Sequence, residues 1–279
     1  MRSIIPAESG LPFRQKEAYP LLNRAILSHT AHRPFPLPAG PWVMKQVWRR
    51  LLFAHWPVAR EELPPLPDGV ELDLWDGVPW ISLSPFRVDP LRFRCTPPFP
   101  GTGRFLEVNL RTYVKVNGVP GIWFFTLEAS RRLAVAGARI GGHLPYHRAQ
   151  MSEEVKGETV QYQSLRTTGL PSSRGSSGGA SQAAVLKTAY RPLSGQVFNA
   201  LPGSLLHWLS ERYRMYSADR QGRLYTVDIH HLPWPLREVD VTIHTDTLTE
   251  AYGLNVPAVP AAATYTERLD VLMWPIRRC

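Results

Sequence analysis

The dipeptide Asn117-Gly118 constrains what this chain can fold into more than any other pair of residues. A two-residue type I′ turn needs φ > 0 at both positions, and Asn-Gly accepts that conformation readily. β-rich runs flank it, from Arg104 to Val116 and from Val119 to Glu128, so the stretch reads as a tight antiparallel hairpin. With a two-residue turn the register follows: Val116 opposite Val119, Arg111 opposite Phe124, Glu107 opposite Glu128. Side chains alternate across a strand. One face then carries Leu106, Val108, Leu110, Val114 and Val116 with Val119, Trp123, Phe125 and Leu127. The other carries Glu107, Asn109, Arg111, Tyr113 and Lys115 with Ile122, Phe124, Thr126 and Glu128. Like charges directly opposite each other destabilise a strand pair. That second face is therefore either solvated or the floor of a site in which Arg111 bridges two carboxylates.

The remaining chain repeats the same theme. Residues 1–40 are proline-rich and lack periodicity, and are expected to form an arm outside the main domain, 41–279. Trp42 to Trp56 is a strong apolar run that suits a buried strand, although Lys45 to Phe53 would tolerate a helix. Val70 to Val88 alternates around Asp76-Gly77 and predicts a second hairpin; Pro145 to Thr168 predicts another, turning at Lys156-Gly157. Ser130 can cap a helix over Arg131 to Ile140, ended by Gly141-Gly142. Residues 169–182 are low in complexity and predict a mobile surface loop inside the domain. Further strands are expected over Ala184–Tyr190, Arg214–Ser217, Arg223–His230, Val239–Thr245 and Arg268–Trp274, with short helices at Leu205–Arg212 and Asp246–Tyr252. Mostly sequential hairpins with a few short helices predict a β-rich α+β fold. A closed, mostly antiparallel barrel is its expected architecture, since closure removes the sheet edges.

Composition narrows the function classes. The net charge of +9 comes from scattered arginines, 27 Arg to 5 Lys, and no basic stripe marks a nucleic-acid footprint. No apolar run approaches a membrane span and the N-terminus offers no apolar stretch of signal-peptide length, so a cytoplasmic protein is expected. Two cysteines, Cys95 and Cys279, are too few for a disulfide framework or a four-thiolate zinc site. No phosphate-binding glycine loop, nucleophile elbow or HExxH is present, and neither metal nor cofactor is expected.

Several stretches together resemble the YqjF-like family of uncharacterised bacterial proteins: QVWRRLLFAHWPV (46–58), RTYV (111–114), ARIGGHLPYHRAQM (138–151), SERYRMY (210–216), HHLPWPL (230–236) and VLMWP (271–275). That family is distantly similar to acetoacetate decarboxylases, which implies a cone-shaped, largely antiparallel barrel around an interior site. The decarboxylase pattern G-R-E-I-x-G-[FY]-P-K-K carries the lysine that forms a Schiff base. Laid on Ala138 to His147 it matches at Arg139 and Pro145, but Tyr146 and His147 stand where the lysines would be. Neither makes an imine, so Schiff-base decarboxylation is not expected. The resemblance also implies that Glu107 faces the cone's interior.

The expected function is binding of a small anionic or carbonyl-containing metabolite inside the cone. Glu107 is the candidate acid/base, with Glu128 beside it as a second carboxylate. Arg111, Arg87 and Arg139 are candidate carboxylate partners by their fork geometry. Asn109 and either Tyr146 or His147 would line the cavity; alternation sends the last two to opposite faces. A non-enzymatic sensing or interaction module and a basic nucleic-acid-binding barrel are the alternative classes. Oligomerisation is left open.

Overall fold

In the computed structural model of the chain, Asn117 and Gly118 both take the left-handed backbone that the turn demands, with φ of 51° and 74°, and Val116 pairs with Val119. The structure describes residues 23–96, 103–131, 143–167 and 183–279. The expected helix after Arg131 and the low-complexity loop fall almost wholly outside these residues. The chain divides into two compact units, residues 1–37 and 38–279. In the first, residues 23–28 are helical and the Arg33 guanidinium lies 5.0 Å from the centroid of the Phe35 ring.

The second unit is mostly β. Its strands among the described residues are β1 (Met44–Pro57), β2 (Glu71–Leu72), β3 (Trp80–Phe93), β4 (Phe105–Val116), β5 (Val119–Ala129), β6 (Tyr146–Arg148), β7 (Gln150–Lys156), β8 (Thr159–Arg166), β9 (Ala184–Pro192), β10 (Arg214–Ala218), β11 (Leu224–His230), β12 (Val239–Asp246), β13 (Ala262–Met273) and β14 (Arg277–Arg278). Short helices cover Leu205–Ser210, where Ser204 Oγ accepts from the His207 amide, and Thr247–Glu250, capped by Asp246. No helix among the described residues is long and apolar enough to cross a membrane.

Two sheets result. In the larger, pairing runs from β4 through β3, β1, β13, β11 and β10 to β5, and β5 pairs back with β4. The second, β12-β9-β8-β7, is antiparallel throughout. Neighbours in the larger sheet are only partly neighbours in sequence, so the expectation of mostly sequential hairpins is corrected. The stretch Val70–Val88 shows why. Asp76-Gly77 does turn, but only Trp75 and Val78 bridge across it, while β2 pairs with β4 instead of β3. Two of the pairings, β10–β5 and β5–β6, are parallel. At the first of these Gly121 is required: a Cβ there would lie 2.6 Å from Tyr216 Cε2 and 2.8 Å from the Arg214 carbonyl oxygen, so any side chain would push β10 off β5.

Two irregularities decide which side chains share a face. β1 shifts register against β3 near Arg50, whose φ is +49°. Trp48, Leu51 and Phe53 thereby join one apolar cluster, and Leu52, Ala54 and Trp56 another. β5 carries an extra residue, Phe125: Arg111 faces Phe124, but Leu110 faces Thr126. From there on, the register differs by one from a simple hairpin, with Val108 opposite Glu128 and Glu107 opposite Ala129. The expected Glu107–Glu128 opposition is therefore corrected, because a one-residue slip sends the rest of the strand to the other face.

The two faces of the larger sheet bury different cores. Leu51, Phe53, Phe86, Ile122, Phe124, Leu127 and Met273 share the cluster on the inner face. On the outer face Leu52, Trp56, Leu83, Val108, Leu110 and Phe125 pack with Val160, Tyr162, Leu186 and Tyr190 of the second sheet. The second sheet thus covers the outer face of the β4–β5 hairpin and leaves its inner face to line a cavity.

Candidate functional site

Residues of β4 that alternate inward reach a cavity of about 460 Å³. Register gives its depth. Met44 pairs with Phe93 at one end of the β1–β3 ladder, and His55 with Ser82 toward the other. Along β3–β4, Ser82 faces Arg111, Ser84 faces Asn109 and Phe86 faces Glu107. Arg111 therefore sits at the end marked by the buried His55, Glu107 two inward positions nearer the rim, and Val43, Phe93 and Ile276 at the rim itself. The walls are apolar and aromatic, with Trp48, Phe86, Phe124, Leu127, Trp234 and Met273 prominent.

The polar groups inside are few and poorly satisfied. Glu107, 4% exposed, accepts one hydrogen bond, 2.9 Å from the Tyr146 hydroxyl. Burial pushes its carboxyl up to about 8, against the smaller opposing pull of that hydroxyl. At neutral pH the group is mainly the neutral acid. Arg111, 7% exposed, lies with its guanidinium 5.0 Å from the Phe53 ring centroid, and its Nε has no hydrogen-bond partner. Burial lowers its pKa, although it remains a cation. Asn109 Oδ1 is likewise buried and unpartnered. Arg212 reaches the cavity from the other side. Its Nη1 donates to Asp73 Oδ2 at 2.6 Å and its Nε to the Trp208 carbonyl at 2.6 Å, while Nη2 is left without a partner. Asp73 is shared with Lys115, whose Nζ lies 2.8 Å from Oδ1. The deep end therefore carries two cations, Arg111 and Arg212, of which only Arg212 has a carboxylate among the described residues. Buried polar atoms normally find partners, so these three orphans, with the Trp234 indole Nε1 as a fourth, point to a group that completes them.

Behind Arg111 the packing is closed. Tyr113 Oη lies 3.0 Å from His55 Nδ1, and both rings are buried. Desolvation first, then the charge of Arg111, holds the His55 imidazole well below its usual range, so it is neutral. His55 is a satisfied core histidine.

Of the residues singled out from the sequence, Glu107, Asn109, Arg111 and Tyr146 line the cavity together. Glu128 does not. It lies fully buried on the outer face, where Ser164 Oγ donates to it at 2.5 Å and Arg166 Nε at 2.8 Å. Arg87 also points outward, ion-paired with Glu153 on β7. Both placements correct the expectation of a shared floor, since Phe125 shifts Glu128 and alternation sends Arg87 away from Phe86. His147 pairs in register with Glu128, and Tyr146 with Leu127, so Tyr146 is the inward member of that pair. Arg139 lies outside the described residues. Arg212, Ser210 and Gln46 are cavity residues that the sequence reading passed over. The available signal for Arg212 was a charge set in the aromatic run from Trp208 to Tyr216. No lysine lines the cavity among the described residues, and no cluster of histidine, cysteine or acidic side chains there could hold a metal ion.

Three comparisons bear on this arrangement. A protein of Bacillus subtilis (strain 168) described as "Uncharacterized protein YqjF" is 43% identical over 243 residues, covering 87% of this chain and 95% of that protein. Among solved structures, an acetoacetate decarboxylase superposes with a TM-score of 0.53 at 13% identity, covering 92% of this chain and 97% of that one. An acetoacetate decarboxylase-like enzyme of Sphingomonas wittichii RW1 gives 0.55 at 12% identity over 88% and 98%. The enduracididine biosynthesis enzyme MppR, solved with pyruvate, gives 0.54 at 12% over 88% and 93%. At these identities the likeness is one of fold. Residues 45–270 match DUF2071, an uncharacterized conserved protein family, and that span covers most of the chain. Together with the Bacillus relative, it makes the chain a member of the YqjF-like DUF2071 family.

Proposed function

We propose that the larger sheet closes as a cone-like barrel around a chamber that binds a small anionic or carbonyl-containing metabolite. The observation that carries this reading is Arg111, a buried cation facing the cavity whose Nε has no hydrogen-bond partner and which has no carboxylate paired to it among the described residues. Leaving such a group unpaired costs stability unless a ligand anion completes it. Asn109 Oδ1, on the same face of β4, is left for a hydrogen-bond donor such as a ligand hydroxyl. A neighbour of the same fold was solved with pyruvate, which is consistent with a keto acid in this chamber.

In this reading Arg111 takes the carboxylate through its planar fork. Glu107 acts on the carbon framework nearer the rim. As a neutral acid it donates its proton to a carbonyl oxygen, and as a carboxylate it removes one from the adjacent carbon. Tyr146 orients the carboxyl and steadies whichever oxygen carries charge. Enolisation through a carboxyl group fits these residues, while imine chemistry has no lysine here to support it.

Hydrogen–deuterium exchange at the carbon adjacent to the ketone of keto acids, followed by NMR in D2O, tests the catalytic part. The wild-type protein should accelerate exchange, and Glu107→Gln should lower it by about 10²- to 10⁴-fold while still binding the acid. A fully active Glu107→Gln protein would remove Glu107 from catalysis. Binding without exchange in the wild type would instead identify a ligand-sensing module.

A further inference from the structure

The cavity is far more apolar than a three- or four-carbon keto acid requires. Apart from Gln46, whose Oε1 accepts from Trp48 Nε1, its polar groups gather on β4 and around Arg212, whereas Met44, Trp48, Leu51, Leu91, Phe105 and Ile229 continue the wall toward the rim. The rim is apolar too. Phe93 is 51% exposed and Val43 37%, and both line the cavity. A chamber of about 460 Å³ is within the range that encloses drug-sized ligands. A ligand filling only the charged end would leave this wall wet, forgoing the gain from burying apolar surface.

We propose that the chamber takes a lipophilic carboxylic acid, of medium-chain aliphatic type, with its carboxylate on Arg111 and Arg212 Nη2 and its chain along the wall toward Phe93. This rests on the proposed anion-binding role of the same site and names the class of anion. The polarity of the pose follows from the register: cations at the His55–Ser82 end, hydrocarbon at the Met44–Phe93 end. Asp73 already offsets one of the two arginines, so a single negative charge suits the remaining excess. Glu107 does not repel it, being mainly protonated at neutral pH. Nearer the rim, Glu107 and Tyr146 then meet the chain, where an oxygen substituent would find its hydrogen-bond partners.

Isothermal titration of the full chain at pH 7 with butanoate, hexanoate, octanoate, decanoate and decanol tests the inference. Affinity should rise about fourfold per methylene as each is buried. Decanol should bind at least tenfold more weakly than decanoate. Arg111→Met should narrow the gap between decanoate and decanol, since only Arg212 Nη2 would then meet the carboxylate. The decanoate–decanol comparison on the unaltered protein stands even where that variant fails to fold. Equal binding of butanoate and decanoate would overturn the lipophilic class and leave the anion-binding role intact. Equal binding of decanoate and decanol would overturn the carboxylate assignment. No binding of any of the acids would overturn this inference, and a failure of the short keto acids to bind as well would overturn the anion-binding role beneath it.

Discussion

Glu107 and Glu128 leave the same hairpin on opposite faces, and the partners each meets are as different as their directions. Glu128 is fully buried between the sheets with Ser164, the Arg166 guanidinium and, through Arg166, the Tyr252 hydroxyl. Glu107, almost as deeply buried, has one tyrosine hydroxyl and an open chamber in front of it. Burial raises the pKa of both carboxyls, Glu128 against the opposing pulls of Ser164 and Arg166, and Glu107 against Tyr146 alone. The arginines repeat the contrast. Arg166 has its carboxylate, while Arg111 has an aromatic face and an unused Nε. A polar group satisfied on all sides is tied into structure. One held dry and incomplete beside a cavity is available for a ligand.

The largest effect should come from erasing the geometric cause of the difference. Deleting Phe125 would restore two-residue alternation, rotate Glu128 toward the cavity and strand Arg166. We expect no cooperative unfolding transition in urea; a cooperative wild-type-like transition would show that the bulge is dispensable. Next, Arg166→Met leaves a buried carboxylate without its cation and should cost about 3–5 kcal/mol in urea denaturation. Arg111→Met removes an unpaired buried cation instead, so it should leave the unliganded protein as stable or more stable. If both substitutions cost the same, the two faces are equivalent and the contrast fails.

The pH dependence of stability sharpens the comparison with a smaller effect. Glu107 has a raised folded-state pKa, so above about pH 4.5 the unfolded chain releases a proton that the folded chain still holds. Wild-type stability therefore loses this contribution progressively from about pH 4.5 to about 8, and the loss is constant above that. Glu107→Gln lacks the penalty. Thermal melts should show the variant gaining on wild type between pH 5 and pH 8, with the gap steady at higher pH; parallel curves would mean that Glu107 titrates normally. At the bottom of the scale, Arg191 and Asp240 are 3.7 Å apart with both side chains largely exposed, and Arg191→Ala should leave the melting temperature unchanged within error.

Much of the hairpin was legible because its signals are local. Asn117-Gly118 specifies its own turn, and from there the alternation runs correctly back to Arg111 opposite Phe124. That Glu107, Asn109 and Arg111 share one face came from the same period, since β4 itself runs without interruption. What failed lay beyond the bulge. Nothing in Trp123-Phe124-Phe125-Thr126 marks an extra residue, because no glycine or proline punctuates it. Phe125 is placed instead by its burial against the outer core. The β2 segment failed for a related reason: Asp76-Gly77 makes its turn, but β4 offers a better pairing partner than β3.

The sequence by itself determined that this chain would be mostly β, that a tight turn would fall at Asn117-Gly118, and that one strand would present Glu, Asn and Arg on a single side. Those are consequences of φ preferences and a two-residue period, which act over a few residues. Only the tertiary structure decided which face of that strand would be capped by a second sheet and which left open. That choice depends on the partners that distant segments supply: Ser164 and Arg166 for Glu128, Glu153 for Arg87, Asp73 for Arg212, and no carboxylate for Arg111 among the described residues. Charge satisfaction is a property of three-dimensional neighbours, and it separates the two carboxylates of one hairpin into a structural tie and a candidate acid.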